Sequence, residues 1–192
     1  MEHIRLLPQD LHCHTVLSSK DKDVHSLQTP EFIREHRHAE IIGISDHFDM
    51  IVDFEEYSHR LRACGFFVGC EVDGADWVDQ ARNLPFDYYF YHLRPRDEDY
   101  EGRKALVATG RPVIVSHPME LGTDLSRLPD GAITEINNRY IWRNNWREFF
   151  TPHLGRLKFV ISSDAHQPNW LGQRMARQVQ CALGIDEFYP LG

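Results

Sequence analysis

Short apolar runs recur along this chain, and one after another they end in histidine, aspartate or glutamate. Ile41 to Ser45 leads to Asp46-His47, Phe66 to Cys70 leads to Glu71, Tyr88 to Tyr91 to His92, and Val113 to Ser116 to His117. Ala132 to Asn137 carries Glu135 and Asn137 at its end, and Phe159 to Ser162 runs into Ser163-Asp164-Ala165-His166. The opening stretch Asp10-Leu11-His12-Cys13-His14 makes the seventh. Short β-branched and aromatic runs without polar alternation read as strands buried on both faces, the habit of parallel sheets.

Helical patterns fill the intervals. Thr29-Pro30-Glu31 supplies an N-cap, a first-turn proline and a first-turn acid for a short helix through Arg37. Phe54 to Ala63 puts Tyr57, Leu61 and, just beyond, Cys64 at helical spacing. Ala75 to Arg82, Asp97 to Thr109 with Asp97 as cap and Gly110 as stop, Met119 to Leu128, Tyr140 to Leu154 and Gln173 to Leu183 complete the alternation. Seven units in 192 residues come to about 27 residues each, the economy of a (β/α) barrel. A doubly wound open sheet gathers its polar groups at one switch point, whereas here they follow every strand, which argues for a closed ring with its chemistry at the carboxyl ends of the strands. Trp142, Trp146, Phe149 and Phe150 are expected to pack on the barrel wall rather than to stack bases.

The length allows one sizeable core, so a single domain over 1–192 is expected. Met1 to Pro8 carries Glu2 and Arg5 and no extended apolar stretch, no run approaches a membrane span, and the four cysteines are scattered without a CxxC pair. A cytoplasmic protein with no membrane partner is the expectation. The net charge of −8 disfavours extended nucleic acid, although bound dications would offset part of it and leave a nucleotide as a partner. Oligomeric state has no signature.

Twelve histidines matter because of where they fall. In an extended strand Asp10, His12 and His14 share one face and Leu11 and Cys13 the other, so two imidazoles can grip one ion while Cys13 packs in the wall. Imidazole and carboxylate donors without cysteine suit Zn, Mn or Fe. Asp10, one pleat below His12, and Asp46 are expected to accept the second ring N–H of ligand histidines, with Asn137 in a similar supporting role. His3 is terminal, and His36, His38, His59 and His153 fall in helical patterns away from strand ends.

These motifs, in this order, resemble the PHP (polymerase and histidinol phosphatase) superfamily over nearly the whole chain. The resemblance rests on Asp10-x-His12-x-His14, Asp46-His47, Gly69-x-Glu71, the lone His92 and His117, Glu135-x-Asn137 and Asp164-x-His166. It implies a distorted, TIM-like (β/α)7 barrel with two or three divalent metal ions. It further implies that His12, His14 and Asp164 hold one ion, that Glu71 bridges it to a second completed by His92 and His117, and that His47 and His166 hold a third with a loop histidine. The chain departs at that last position: Lys20 aligns there, in the polar loop of Thr15, Ser18 and Ser19, and His25 lies five residues on. The cluster is then either trinuclear through His25 or binuclear with Lys20 on a phosphate oxygen.

The implied activity is hydrolysis of a small phosphate ester, a phosphomonoester of a small molecule or nucleotide, with His166 as candidate acid and Lys20, Arg94 and Arg139 as candidate phosphate contacts. Two alternatives stand beside it. One is an amidohydrolase-like barrel hydrolase, which would bridge its metals with a fourth-strand lysine rather than Glu71; the other is a non-catalytic, metal-stabilised module.

Overall fold

Seven parallel strands pair in chain order: β1 (Leu7–Asp10), β2 (Ala39–Ile44), β3 (Phe67–Val72), β4 (Tyr88–Tyr91), β5 (Val113–Val115), β6 (Ile133–Asn137) and β7 (Lys158–Ser162). The structure is a computed structural model that describes residues 6–18, 20–143 and 145–191; His3 and Ser19 lie outside it. Helices α1 (Pro30–Glu35), α2 (Phe54–Ala63), α3 (Val78–Ala81), α4 (Asp97–Val107), α5 (Pro118–Leu121), α6 (Trp146–Phe150) and α7 (Arg174–Leu183) alternate with the strands. The sheet curls until its two edges meet beyond β1 and β7. There Asp164 N donates to His12 O (2.8 Å) and His14 N donates to Ala165 O (2.9 Å), so the barrel is nearly closed.

Strand β4 shows how the two faces divide. Tyr88 and Phe90 pack with Leu11, Ile114 and Val160, while Tyr89 and Tyr91 belong to the larger core that includes Ile42, Leu61 and Leu106. Both faces are buried, as expected of a parallel sheet. Tyr88 needs the two glycines opposite it. A Cβ at Gly43 would fall 2.3 Å from its hydroxyl oxygen, and one at Gly69 would fall 2.3 Å from its Cζ. With those positions bare, Tyr88 reaches across to donate to Leu11 O (2.6 Å), and the Phe90 ring lies 4.1 Å from that of His12. The Gly69-x-Glu71 spacing thus reflects a packing need two residues before Glu71.

Several expected elements differ in detail. The Tyr140 to Leu154 segment is not one helix: Ile141–Arg143 and Thr151–His153 are 3₁₀ turns flanking α6. Phe150 is buried, and Trp146 and Phe149 pack partly against the core, but Trp142 stands out in solvent. Met119 to Leu128 is interrupted at Gly122, whose φ of +65° ends α5. Ala75 to Arg82 begins as a 3₁₀ turn, and Arg96 rather than Asp97 caps α4, without a side-chain bond. His38 lies between α1 and β2 rather than in a helix. Among the described residues no helix is long and apolar enough to cross a membrane.

Candidate metal centre

Each strand end contributes to one cluster because each carboxyl end opens on the same rim. Glu71, near the end of β3 and 1% exposed, is its hub. Its Oε1 faces His12 Nε2 (3.3 Å), His92 Nε2 (2.8 Å) and His117 Nε2 (3.1 Å), and its Oε2 faces His14 Nε2 (3.5 Å) and His47 Nδ1 (3.3 Å). Asp164 closes the other side, with Oδ1 3.5 Å from His14 Nε2, 3.8 Å from His12 Nε2 and 3.3 Å from His166 Nδ1. Among the described residues four groups have ligand atoms within 4.8 Å of one another: three at this rim, His12, His14 and Glu71, then Glu71, His92 and His117, then His14, Asp21, His47 and His166, and a fourth away from it, Asp10, Cys13 and His38. These buried clusters can hold metal ions.

The donor orientation fits that role. His12 Nδ1 lies 3.0 Å from Glu135 Oε2, a pure acceptor, so Nδ1 keeps its proton and Nε2, turned toward Glu71 and Asp164, is the nitrogen that a cation would take in exchange for a proton. Asp73 Oδ1 does the same for His92 through Nδ1 at 3.0 Å. His12 Nε2, His92 Nε2 and both ring nitrogens of His14 are buried without a hydrogen-bond partner, as is Asp21 Oδ2. Buried polar atoms are ordinarily paired. Several orphans converging on two carboxylates are what a cation-binding centre presents.

Protonation follows the same geometry. Burial opposes charge on His12, but the carboxylates of Glu135, Glu71 and Asp164 outweigh it and hold the pKa well above its usual value. Burial likewise works against the His92 cation, and Glu71 and Asp73 raise its pKa to about 9. His14 goes the other way: burial and the neighbouring His166 and His47 keep it neutral. Asp164 resists burial through His12 and His166 and falls to about 2, while Glu71, ringed by imidazoles, is held well below the usual carboxylate range. Among the described residues the only non-glycines with positive φ are His117 (+22°) and Asp164 (+55°), both in this cluster, and such strain concentrates at functional sites.

The expected supports are rearranged. Asp10 does not serve His12: β1 ends at Asp10, strand alternation stops there, and the carboxylate takes His38 Nε2 (2.8 Å) and Ser163 N (3.0 Å) on the Cys13 side. Asp46 accepts from Thr15 N, Thr15 Oγ1 (2.6 Å) and Ser18 Oγ (3.1 Å), and stays 4.0 Å from His14 Nδ1. It therefore pins the loop after His14, and burial lifts its pKa to about 7. Asn137 does connect acids, donating to Glu135 Oε1 (2.9 Å) and Asp164 Oδ2 (3.0 Å). Cys13 is fully buried in the wall.

Neither candidate for the loop position enters the cluster. His25 is exposed, its Nδ1 occupied by Leu27 N (3.1 Å), and Lys20 is exposed. Asp21 stands there instead, with Oδ2 3.8 Å from His47 Nε2 and 3.7 Å from His166 Nε2. Arg139 reaches the rim, Nη1 lying 3.2 Å from His166 Nδ1 and 3.7 Å from Asp164 Oδ1, whereas Arg94 is engaged by Asp73. The strand-end pattern includes Glu135 but assigns it no role, and it does not reach Asp73 or Asp21. Glu135 carries a signal, since it precedes Asn137 by two residues on β6; Asp21 and Asp73 lie in segments without periodicity.

Neither the known protein-family models nor the curated proteins give a match to this chain.

Proposed function

We propose that the chain is a metal-dependent phosphoesterase of the PHP type, on a (β/α)7 barrel with its metal centre at the carboxyl ends of the strands. The observation that carries the reading is Glu71: a buried carboxylate touched from two sides by imidazole nitrogens that have no other partner. On this reading His12, His14, Glu71 and Asp164 hold one ion, Glu71, His92 and His117 a second, and Asp21, His47 and His166 a third. Zn, Mn and Fe suit the donor set. Bound ions would generate a nucleophile from water near neutral pH and offset charge on the phosphate oxygens.

The chain's own residues do the remaining work. Glu135 and Asp73 fix the tautomers of His12 and His92. Asn137 orients Asp164. Arg139, at the rim beside Asp164 and His166, attracts and orients the anionic group of the substrate. Where no third ion occupies Asp21, His47 and His166, His166, whose pKa is raised by Asp164 against the effect of burial, is the candidate proton donor to the leaving alcohol. Lys20 and Arg94 are weaker phosphate contacts, the first for its exposure and the second for its bond to Asp73.

Protein loaded with Mn, Zn or Fe is expected to hydrolyse an aryl phosphate monoester and to leave amides and lactones untouched. Turnover of an amide or lactone alone would replace this reading with an amidohydrolase-like one.

A further inference from the structure

Beyond Arg139 the rim opens into a cavity of about 500 Å³ between the turn after β6 and the segment leading into α7. Its walls include Trp142, Trp170, Arg139, Arg143, Arg174 and Asn169. Trp142 is 62% exposed and Trp170 37%, so two of the four tryptophans present their rings to solvent at one cavity. Single exposed aromatics need no explanation. Two at the mouth of one cavity, next to a buried polar centre, point to a flat ligand.

The lining charge is one-sided. Among the described residues no carboxylate lines this cavity, in a chain with a net charge of −8, and three guanidinium groups do, although Arg139 also has Asp23 Oδ2 at 3.7 Å. Arg143 lies with its Cζ 5.2 Å from the Trp142 ring centre and has Glu120 at 3.8 Å. Arg174 is exposed and, among the described residues, has no carboxylate within 4.0 Å. The first amides of α7 are already taken: Asn138 Oδ1 accepts from Met175 N (2.8 Å) and Ala176 N (3.1 Å). Anion attraction here belongs to side chains, not to the helix end. Arg139 joins the two regions, its Cζ 5.2 Å from the Trp170 ring centre and its Nη1 3.2 Å from His166 Nδ1.

From this we infer that the cavity seats the base of a nucleoside phosphate, the base lying against Trp142 and Trp170 with its phosphate drawn by Arg139 toward the His/Glu/Asp cluster. The inference rests on the phosphoesterase reading and names its substrate class. A sugar phosphate has no flat face to use two indoles. A simple phenyl ring has no donors or acceptors for an amide such as Asn169, whereas a base edge has both. Stacking of one base on an aromatic side chain is worth roughly five- to 150-fold in affinity.

The test is calorimetric titration of the full chain with the phosphonate analogue of AMP, which cannot be hydrolysed at its P–C bond, and with methylphosphonate. The analogue is expected to bind at least about tenfold more tightly than methylphosphonate. Trp142→Ala and Trp170→Ala are each expected to weaken the analogue about fivefold or more while leaving methylphosphonate within about twofold, and Trp→Phe variants to restore most of the loss. Equal affinity for the two probes in the wild-type chain overturns the inference, as does binding of neither, and that comparison stands even if an alanine variant fails to fold. Base-dependent binding without turnover of any phosphate ester supports the cavity and sinks the hydrolase reading. Turnover of aryl phosphate without preference for the base sinks the cavity alone.

Discussion

Two glutamates lie buried in this barrel, and they are used in opposite ways. Glu135 is saturated: His12 Nδ1 and Ser162 Oγ donate to Oε2, and His117 N and Asn137 Nδ2 donate to Oε1. Glu71 receives Ser116 Oγ and otherwise meets the edges of five imidazoles, several of them unpartnered. One carboxylate organises fixed donors, and the other collects imidazole nitrogens that can exchange a proton for a cation. A fully satisfied acid is scaffold, whereas an acid ringed by exchangeable imidazoles is where a cation can be held.

Substitutions sharpen that contrast. Glu71→Ala should leave at most one bound ion and lower hydrolysis of an aryl phosphate by more than the roughly 100-fold typical of supporting residues, as read by metal analysis and steady-state rates. Glu135→Gln should keep metal but weaken it by about 10- to 100-fold, because whichever way the amide turns, its NH₂ faces groups that donate. It should also cost about 1–3 kcal/mol in denaturant unfolding of the chelated protein. If Glu135→Gln were as depleted of metal as Glu71→Ala, the two roles would not be distinct.

Smaller effects probe the loop. Asp21→Ala should lower metal content by one ion with less than about a tenfold change in rate, while Lys20→Ala and His25→Ala leave the ion count unchanged. A loss of metal in His25→Ala would restore the loop histidine as ligand. A separate effect is on pH dependence. With metal chelated, His92 has its pKa raised to about 9, so its contribution to stability is complete below the unfolded value near 6.5 and is lost as pH rises through about 9. A fall of up to about 3 kcal/mol over that window is expected, and Asp73→Asn should reduce it. Metal binding must expel the same proton, so it should release protons to buffer at neutral pH.

The strand-borne part of the centre was legible in the sequence for a physical reason. A parallel strand buried on both faces is a conspicuous apolar run, and its first polar residues fall where the barrel opens, as at His92 after Tyr91 and His117 after Ser116. Asp21 had no such marker, because a loop pinned by Asp46 through Thr15 and Ser18 takes its course from contacts distant in sequence. Asp10 misled by its spacing: alternation holds only while the strand continues, and β1 stops there. Trp142 misled by composition, since an aromatic-rich stretch reads as a packed helix until a 3₁₀ turn carries one ring into solvent.

The central claim is that Glu71 joins neighbouring ions in one centre. Elemental analysis of the wild-type protein and Glu71→Ala, each equilibrated with Mn, Zn or Fe and then freed of loosely held metal, tests it most directly. Two or three ions per wild-type chain and at most one in the variant are expected. Equal metal content in the two proteins, or none in either, would contradict it.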